Sequence, residues 1–248
     1  MPRTDWGWLV TPAELDSWTL LLTPDLFAVN KPGHVLCHPS KFGPWSSLVG
    51  AAREFLGEPV LHMPSRLDRE TSGAVLFARN RVLGSSLQRA IQHHRVHKTY
   101  TAVLDGILST PITVDQPLGR DPHSAVFLKQ AVVPDGSPSQ TEFEPLAHAG
   151  NHTLVRVRPR TGRLHQIRVH AAFLGHPVTG DKLYGPDETL FLRFIRNGFD
   201  ETLQRALPLS RQALHASSLV FQLPAGELRI DAPLAADIDA FWHSLQTP

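Results

Sequence analysis

Apolar positions recur along this chain with two periods. One is the two-residue alternation of a half-buried strand, and the other is the three-to-four-residue spacing of a helix face. Residues 73–78 are six in a row without charge and read as a buried strand, and 26–29 form a shorter one. Residues 98–104 alternate and are rich in β-branched side chains. Residues 152–158 put Thr153, Val155 and Val157 on one face and Leu154, Arg156 and Arg158 on the other. Helical spacing marks 45–57, with Ser46 or Ser47 as cap, Leu48, Val49, Ala52, Phe55 and Leu56 as the apolar side, and Gly57 as the stop. Residues 80–92 read as a second helix. A third runs from Gly162 to Leu174, with Gly175 at its exit. A last one covers 235–246, with Ile238, Phe241, Trp242 and Leu245 on one face. Residues 106–140 are rich in Pro, Gly, Asp and Ser. Pro134-Asp135-Gly136 makes a turn ahead of a strand opened by Thr141, Glu142, Phe143 and Glu144. This predicts hairpins in an antiparallel sheet rather than helix-linked parallel strands. Residues 187–211 form an irregular insert with a mixed helical pattern. Residues 1–22 hold Trp6, Trp8 and Trp18 among Pro and acidic residues, which predicts an irregular arm anchored by its aromatics.

Composition narrows the classes. The 248 residues suffice for one large domain or two small subdomains. Apolar residues make up 42% and charged residues 19%, a globular balance. The formal net charge is only +1, so a polyanionic partner has to meet a local basic surface. Cys37 is the single cysteine, which excludes an internal disulfide and a multi-cysteine zinc site and fits a reducing compartment. No apolar run approaches the roughly 20 residues of a membrane helix. Asp5, Glu14 and Asp16 are unlike a secretory leader. A cytoplasmic protein with no membrane association is expected.

Local charge is where chemistry enters. Between Thr71 and Leu104 there is no Asp or Glu, whereas Arg79, Arg81, Arg89, His93, His94, Arg95, His97 and Lys98 all fall there. That stretch is either an anion surface or a solvated helix face. Arg156, Arg158, Arg160, Arg163 and Arg168 put five guanidinium groups into thirteen residues without an acid. Guanidinium suits phosphate and base edges, so this is the strongest compositional pointer to a nucleic acid. A third cluster, residues 65–72, leads into the buried strand and carries Asp68 between Arg66 and Arg69. Nearby cations keep a carboxylate ionised, and a held carboxylate acts as nucleophile or base. The same residues also fit a charged surface loop. His34 and His38 lack a third metal ligand, and His165 and His170 are five apart, off one helical face, so no metal site is expected.

Several of these residues form ordered motifs. Arg66-Leu67-Asp68, two variable residues and Thr71-Ser72-Gly73 make the first. Arg95, Lys98 and Tyr100 make a second. The third is Thr161-Gly162-Arg163-Leu164-His165-Gln166-Ile167-Arg168-Val169-His170, followed by Gly175-His176-Pro177, Gly180-Asp181 and Tyr184-Gly185. Asn30-Lys31-Pro32 with His38-Pro39 precedes them, and Leu214-His215-Ala216 with 219–223 follows. Together, over about residues 26–223, they resemble the RluA-type pseudouridine synthases. Ser65 stands where that family often has His, His34 where it usually has Gly, and Leu164 where it usually has Thr.

The resemblance implies an α+β fold: a bent, mainly antiparallel mixed sheet flanked by helices, with a central basic cleft. It implies an arm over residues 1–25 and a catalytic domain over 26–248, leaving no room for the small helical RNA-binding domain that many relatives carry first. The implied reaction is isomerisation of uridine to pseudouridine in a ribosomal or transfer RNA stem-loop, by a monomer, with no cofactor and no metal. Asp68 inherits the role of catalytic carboxylate and Arg163 that of its partner. Tyr100 stacks on the base or serves in proton transfer. Arg66 is expected to hold a phosphate or fill the space left by a flipped base, since a base inside a helix must be turned out. Lys98, Arg156, Arg158, His165, Gln166 and Arg168 are expected at the RNA, and Asn30 and Lys31 as framework or substrate rim. The alternative is a catalytically silent RNA-binding protein on the same scaffold. A hydrolase using Asp68 on a small substrate is disfavoured by the Arg-rich strand and the lack of a triad partner.

Overall fold

The computed structural model describes residues 3–4, 7–39 and 42–246; Trp6 of the arm lies outside them. Along the chain run β1 (Arg3–Thr4), β2 (Gly7–Trp8), α1 (Pro12–Ser17), β3 (Thr19–Leu22), β4 (Leu26–Lys31), a 3-10 turn (Pro44–Ser46), α2 (Leu48–Leu56), β5 (Ser72–Ala78), α3 (Arg81–Gln92) and β6 (Val96–Asp105). There follow β7 (Ile112–Asp115), β8 (Leu118–Arg120), β9 (Gln130–Val132), β10 (Gln140–Ala149), β11 (His152–Pro159), α4 (Gln166–Phe173), α5 (Thr189–Asn197) and α6 (Glu201–Ala206). The last elements are β12 (Leu214–Leu223), β13 (Gly226–Asp231) and α7 (Ala236–Ser244). The fold is α+β and its sheets are mainly antiparallel. The chain forms two compact units. The first comprises the residues up to Lys98 with Ala216–Ala235, the second Thr99–His215 with the residues from Ala236 onward. Among the described residues no helix is long and apolar enough to cross a membrane.

In the first unit, β4 pairs antiparallel with β3 and with β5, in the register Phe27↔Phe77 and Val29↔Val75. Strand alternation then divides the side chains between two layers. Phe27, Val29, Val75 and Phe77 join Leu15, Leu48 and Ala51 of the first two helices, with the Phe27 and Phe77 rings stacked 6.0 Å apart. Ala28, Ala74, Leu76 and Ala78 join Leu87 and Ala90 of α3 and Phe221 and Ile230. β5 is buried on both faces, which is why it reads as an unbroken apolar run. Each fully buried Leu or Phe contributes about 1.5–3 kcal/mol. β12 lies beside β5 and pairs antiparallel with β13. Gly73 has φ +116, and a Cβ there would collide with the Ala216 backbone, so the last Gly of the Thr71-Ser72-Gly73 motif is a packing requirement.

The capping signals of the first-unit helices hold. The Ser47 hydroxyl accepts from the Gly50 amide at 3.2 Å, and Gly57 closes α2 with φ +65. Asn80 caps α3 by accepting from Leu83. The arm is more regular than expected. Thr11 and Glu14 form a reciprocal capping box that starts α1, the structural form of a Thr-x-x-Glu sequence. Trp8 and Trp18 do anchor it, edge to face with centroids 6.1 Å apart. β3 and β13 are short and were not foreseen.

In the second unit β6, β11, β10 and β7 pair in that order, each antiparallel to the next. Val155 and Val157 are buried, as the alternation requires. β8 and β9 form the hairpin expected within 106–140. α4 starts at Gln166 rather than near Gly162. His165 is left-handed, with φ +56, and breaks the helical path ahead of it. The insert folds into α5 and α6 around Phe194, Leu203 and Leu207, with the Lys182 ammonium 4.7 Å from the Phe194 ring centroid. α7 buries Ile238 and Trp242, and its Asp237 makes a two-point ion pair with the buried Arg211.

Candidate active site

The Asp68 loop belongs to the first unit and is held from below. Asp68 itself is part-exposed and Arg66 exposed. The Thr71 amide donates to the Asp68 carbonyl at 3.2 Å, closing a turn directly ahead of β5. Leu67 packs on the core beneath. Lys31, with no exposed surface, donates from Nζ to the carbonyls of Pro32 at 2.8 Å, Val35 at 3.0 Å and Arg69 at 3.1 Å. One buried ammonium thus ties the Asn30-Lys31-Pro32 segment to the residue after Asp68. Asn30 donates to the Pro233 carbonyl at 2.9 Å. Both residues are framework, the first of the two roles expected for them. Burial pushes the Cys37 thiol up, with Lys31 and the Leu67 amide opposing and Asp68 reinforcing, so Cys37 also lies under this loop. His34 has φ +68, which gives physical content to the family's glycine there.

Lys98 ends the first unit's main segment. It is part-buried on β6, and among the described residues its ammonium makes no hydrogen bond or ion pair. Desolvation pushes its pKa down. Tyr100, two residues on and so on the same face of β6, is buried in the second unit.

The third motif is a network rather than a row of open side chains. Arg168 is 6% exposed and meets the fully buried Asp181 at two points, Nε to Oδ2 at 2.6 Å and Nη2 to Oδ1 at 2.9 Å. Burial alone raises the Asp181 pKa, but the Arg168 charge and the amides of Leu183 and Tyr184 outweigh it and hold the carboxyl below the usual range. The Arg168 guanidinium lies 4.9 Å from the Tyr184 ring centroid. The Tyr184 hydroxyl accepts from the Gln130 amide at 2.8 Å and sits 2.9 Å from His165 Nδ1. When that hydroxyl donates, Nδ1 accepts and the His165 proton sits on Nε2. Gln166 is likewise buried. It accepts from Thr161 Oγ1 and the Arg163 amide and donates to the Gln140 carbonyl and Thr141 Oγ1.

These contacts correct several expectations. Arg168 and Gln166, expected at the RNA, are buried, and each polar group of theirs described above meets a protein partner. Arg156 and Arg158 do lie outward, but both reach the Glu144 carboxylate, at 2.8 and 2.9 Å, and Arg160 reaches Glu142 at 2.7 Å. The acid-free Arg run of the sequence is offset by acids one strand away, in the cross-strand register Arg156↔Glu144 and Arg158↔Glu142. Arg163 is exposed, with Nε donating to the Pro138 carbonyl at 3.3 Å. His170 bonds Thr141 Oγ1 and the Gln116 carbonyl, and burial pushes its pKa down. Asp181 and Tyr184, late polar residues of the third motif, are the partners of Arg168 and His165 respectively.

A family model described as RNA pseudouridylate synthase matches residues 25–173, from the start of β4 to the end of α4. The chain belongs to that family. A ribosomal large subunit pseudouridine synthase D of Haemophilus ducreyi is 34% identical over 234 residues, 90% of this chain and 69% of the relative. A Chloroflexus aurantiacus protein described as an uncharacterized RNA pseudouridine synthase is 38% identical over 225 residues, 88% and 66% respectively. The chain thus spans about two thirds of the length of these relatives. In fold it is similar to the solved structure of human RNA pseudouridylate synthase domain containing 4, with TM-score 0.74 and 23% identity, covering 94% of this chain and 95% of that one. The match to the synthase family encloses the Asp68 loop, Tyr100 and the Arg163–His170 segment together.

Proposed function

We propose that the chain isomerises uridine to pseudouridine within RNA, with Asp68 as the catalytic carboxylate. The observation that carries the reading is the Asp68 turn. It lies inside the family match, is locked by the buried Lys31 ammonium, and feeds a strand buried on both faces, so the carboxylate is held on a rigid support. In the reaction the bond from ribose C1′ to uracil N1 breaks, the base turns, and C5 bonds to C1′. The C5 proton leaves to solvent and N1 gains one. Arg163 serves as a second catalytic residue, Tyr100 as the surface for the flipped base, and Lys98 as a cation for the RNA. The relatives' names favour large-subunit ribosomal RNA as substrate. The test is tritium release from RNA labelled at uracil C5. Release proportional to pseudouridine found by nuclease digestion and mass spectrometry supports the reading. Tight binding of unmodified ribosomal and transfer RNA without release favours a silent RNA-binding protein.

A further inference from the structure

The acid-free stretch around α3 is not used by the catalytic reading. An open groove of about 520 Å³ runs between α3 and the segment that enters the Asp68 loop, lined by Leu61, His62, Met63 and Pro64 on one side and Gly84, Ser85, Gln88 and Arg89 on the other. Gly84 lets the two walls approach, since a Cβ there would meet His62 Cβ at 2.7 Å. Above the groove, Arg81, Ser85, Gln88, Arg89 and Gln92 form an exposed stripe at helical spacing, continued by His93 and Arg95. Every one of these side chains can donate a hydrogen bond. Among the described residues Arg81, Arg89 and Arg95 make no ion pair. The nearby acids are engaged, Glu58 by Arg79 at 2.7 Å and Asp25 by Asn80 at 2.7 Å.

We propose that this groove holds the sugar-phosphate backbone of the RNA strand next to the target uridine, with Arg89 and Arg81 on phosphates and Ser85 and Gln88 on phosphate or ribose oxygens. Three observations select that occupant. The stripe is cationic and donor-rich, and the stretch that carries it, from Thr71 to Leu104, holds no Asp or Glu. The lining is polar along one wall and flat and apolar along the other at Met63 and Pro64, which suits a backbone with its sugars. Pro64 is four residues from Asp68, at most ~14 Å of chain, so a strand leaving the candidate catalytic carboxylate reaches the groove directly. The proposal rests on the RNA reading of the Asp68 loop and adds where the flanking strand lies.

Filter binding of unmodified large-subunit ribosomal RNA and transfer RNA transcripts, across a range of salt, tests it with three variants. Arg81→Gln with Arg89→Gln removes two charges from an exposed helix face. Affinity falls on the order of ten-fold, and the slope of log K against log salt shrinks by about 1.4, two single-strand contacts at ~0.7 each. Ser85→Trp obstructs the groove without touching charge and weakens binding several-fold with little change in the salt slope. Ala substitution of the exposed Arg205, which belongs to the other unit, is the control and changes neither. If wild type binds and the groove variants match it in affinity and slope, the groove proposal is overturned and the synthase reading stands. If wild type binds neither RNA, both are overturned.

Discussion

The Lys31 ammonium, fully buried, donates to the carbonyl of Arg69, the residue after Asp68, at 3.1 Å. A charge is stable there because three carbonyls replace its water, and the price is that the loop's position depends on one side chain. Lys31→Met keeps the volume and removes the donors. It is expected to lower stability by about 1–3 kcal/mol through orphaned carbonyls, and to lower kcat more than RNA affinity. An unchanged melting temperature with unchanged kcat contradicts this role.

The Arg168–Asp181 pair predicts a pH dependence. The folded-state pKa of Asp181 lies below its ordinary 3.8, so the pair's stabilisation is full above that value and is lost as pH falls through the folded value. Asp181→Asn removes the carboxylate from a buried cation and is expected to destabilise by about 3–5 kcal/mol at neutral pH. The gap to wild type narrows below pH ~4. A gap that persists in acid removes the ion pair as its cause.

Much of this architecture was legible. Period-two alternation located β6 and β11, and an unbroken apolar run located β5, because burial on one face or both leaves those patterns directly. Caps at Ser47 and Gly57 could be read from residue type. Long-range pairing could not. Nothing local to Arg156 and Arg158 announces that Glu144 lies within reach, since these ion pairs join residues 12 and 14 positions apart. Nor does a helical pattern at 162–174 reveal that His165, whose ring meets the Tyr184 hydroxyl 19 residues on, takes a left-handed turn. Arg168 looked like an RNA contact because charge in a sequence carries no record of burial.

Glu144 holds the guanidinium groups of both Arg156 and Arg158. Its pKa is lowered first by the Arg156 hydrogen bond, then by Arg158, so it is anionic at neutral pH. Glu144→Gln frees both guanidinium groups, and RNA affinity is expected to rise with a steeper salt slope. If the slope is unchanged, that face of β11 does not meet RNA.

Lys98 holds its charge at a cost. Its folded pKa is lowered by burial, so the penalty is full below that value and fades as pH rises toward the unfolded 10.5. Lys98→Met is expected to melt higher than wild type at neutral pH, by less at pH 10, and to bind RNA more weakly. Weaker folding instead would show that the amine is needed for structure.

The most direct test is to compare wild type with Asp68→Asn on RNA labelled with tritium at uracil C5, alongside binding of the same RNA. The expected result is release by wild type, a loss of at least a thousand-fold in the variant, as on the order of 4 kcal/mol of barrier, and unchanged affinity. Release by the variant at the wild-type rate would remove Asp68 from the chemistry.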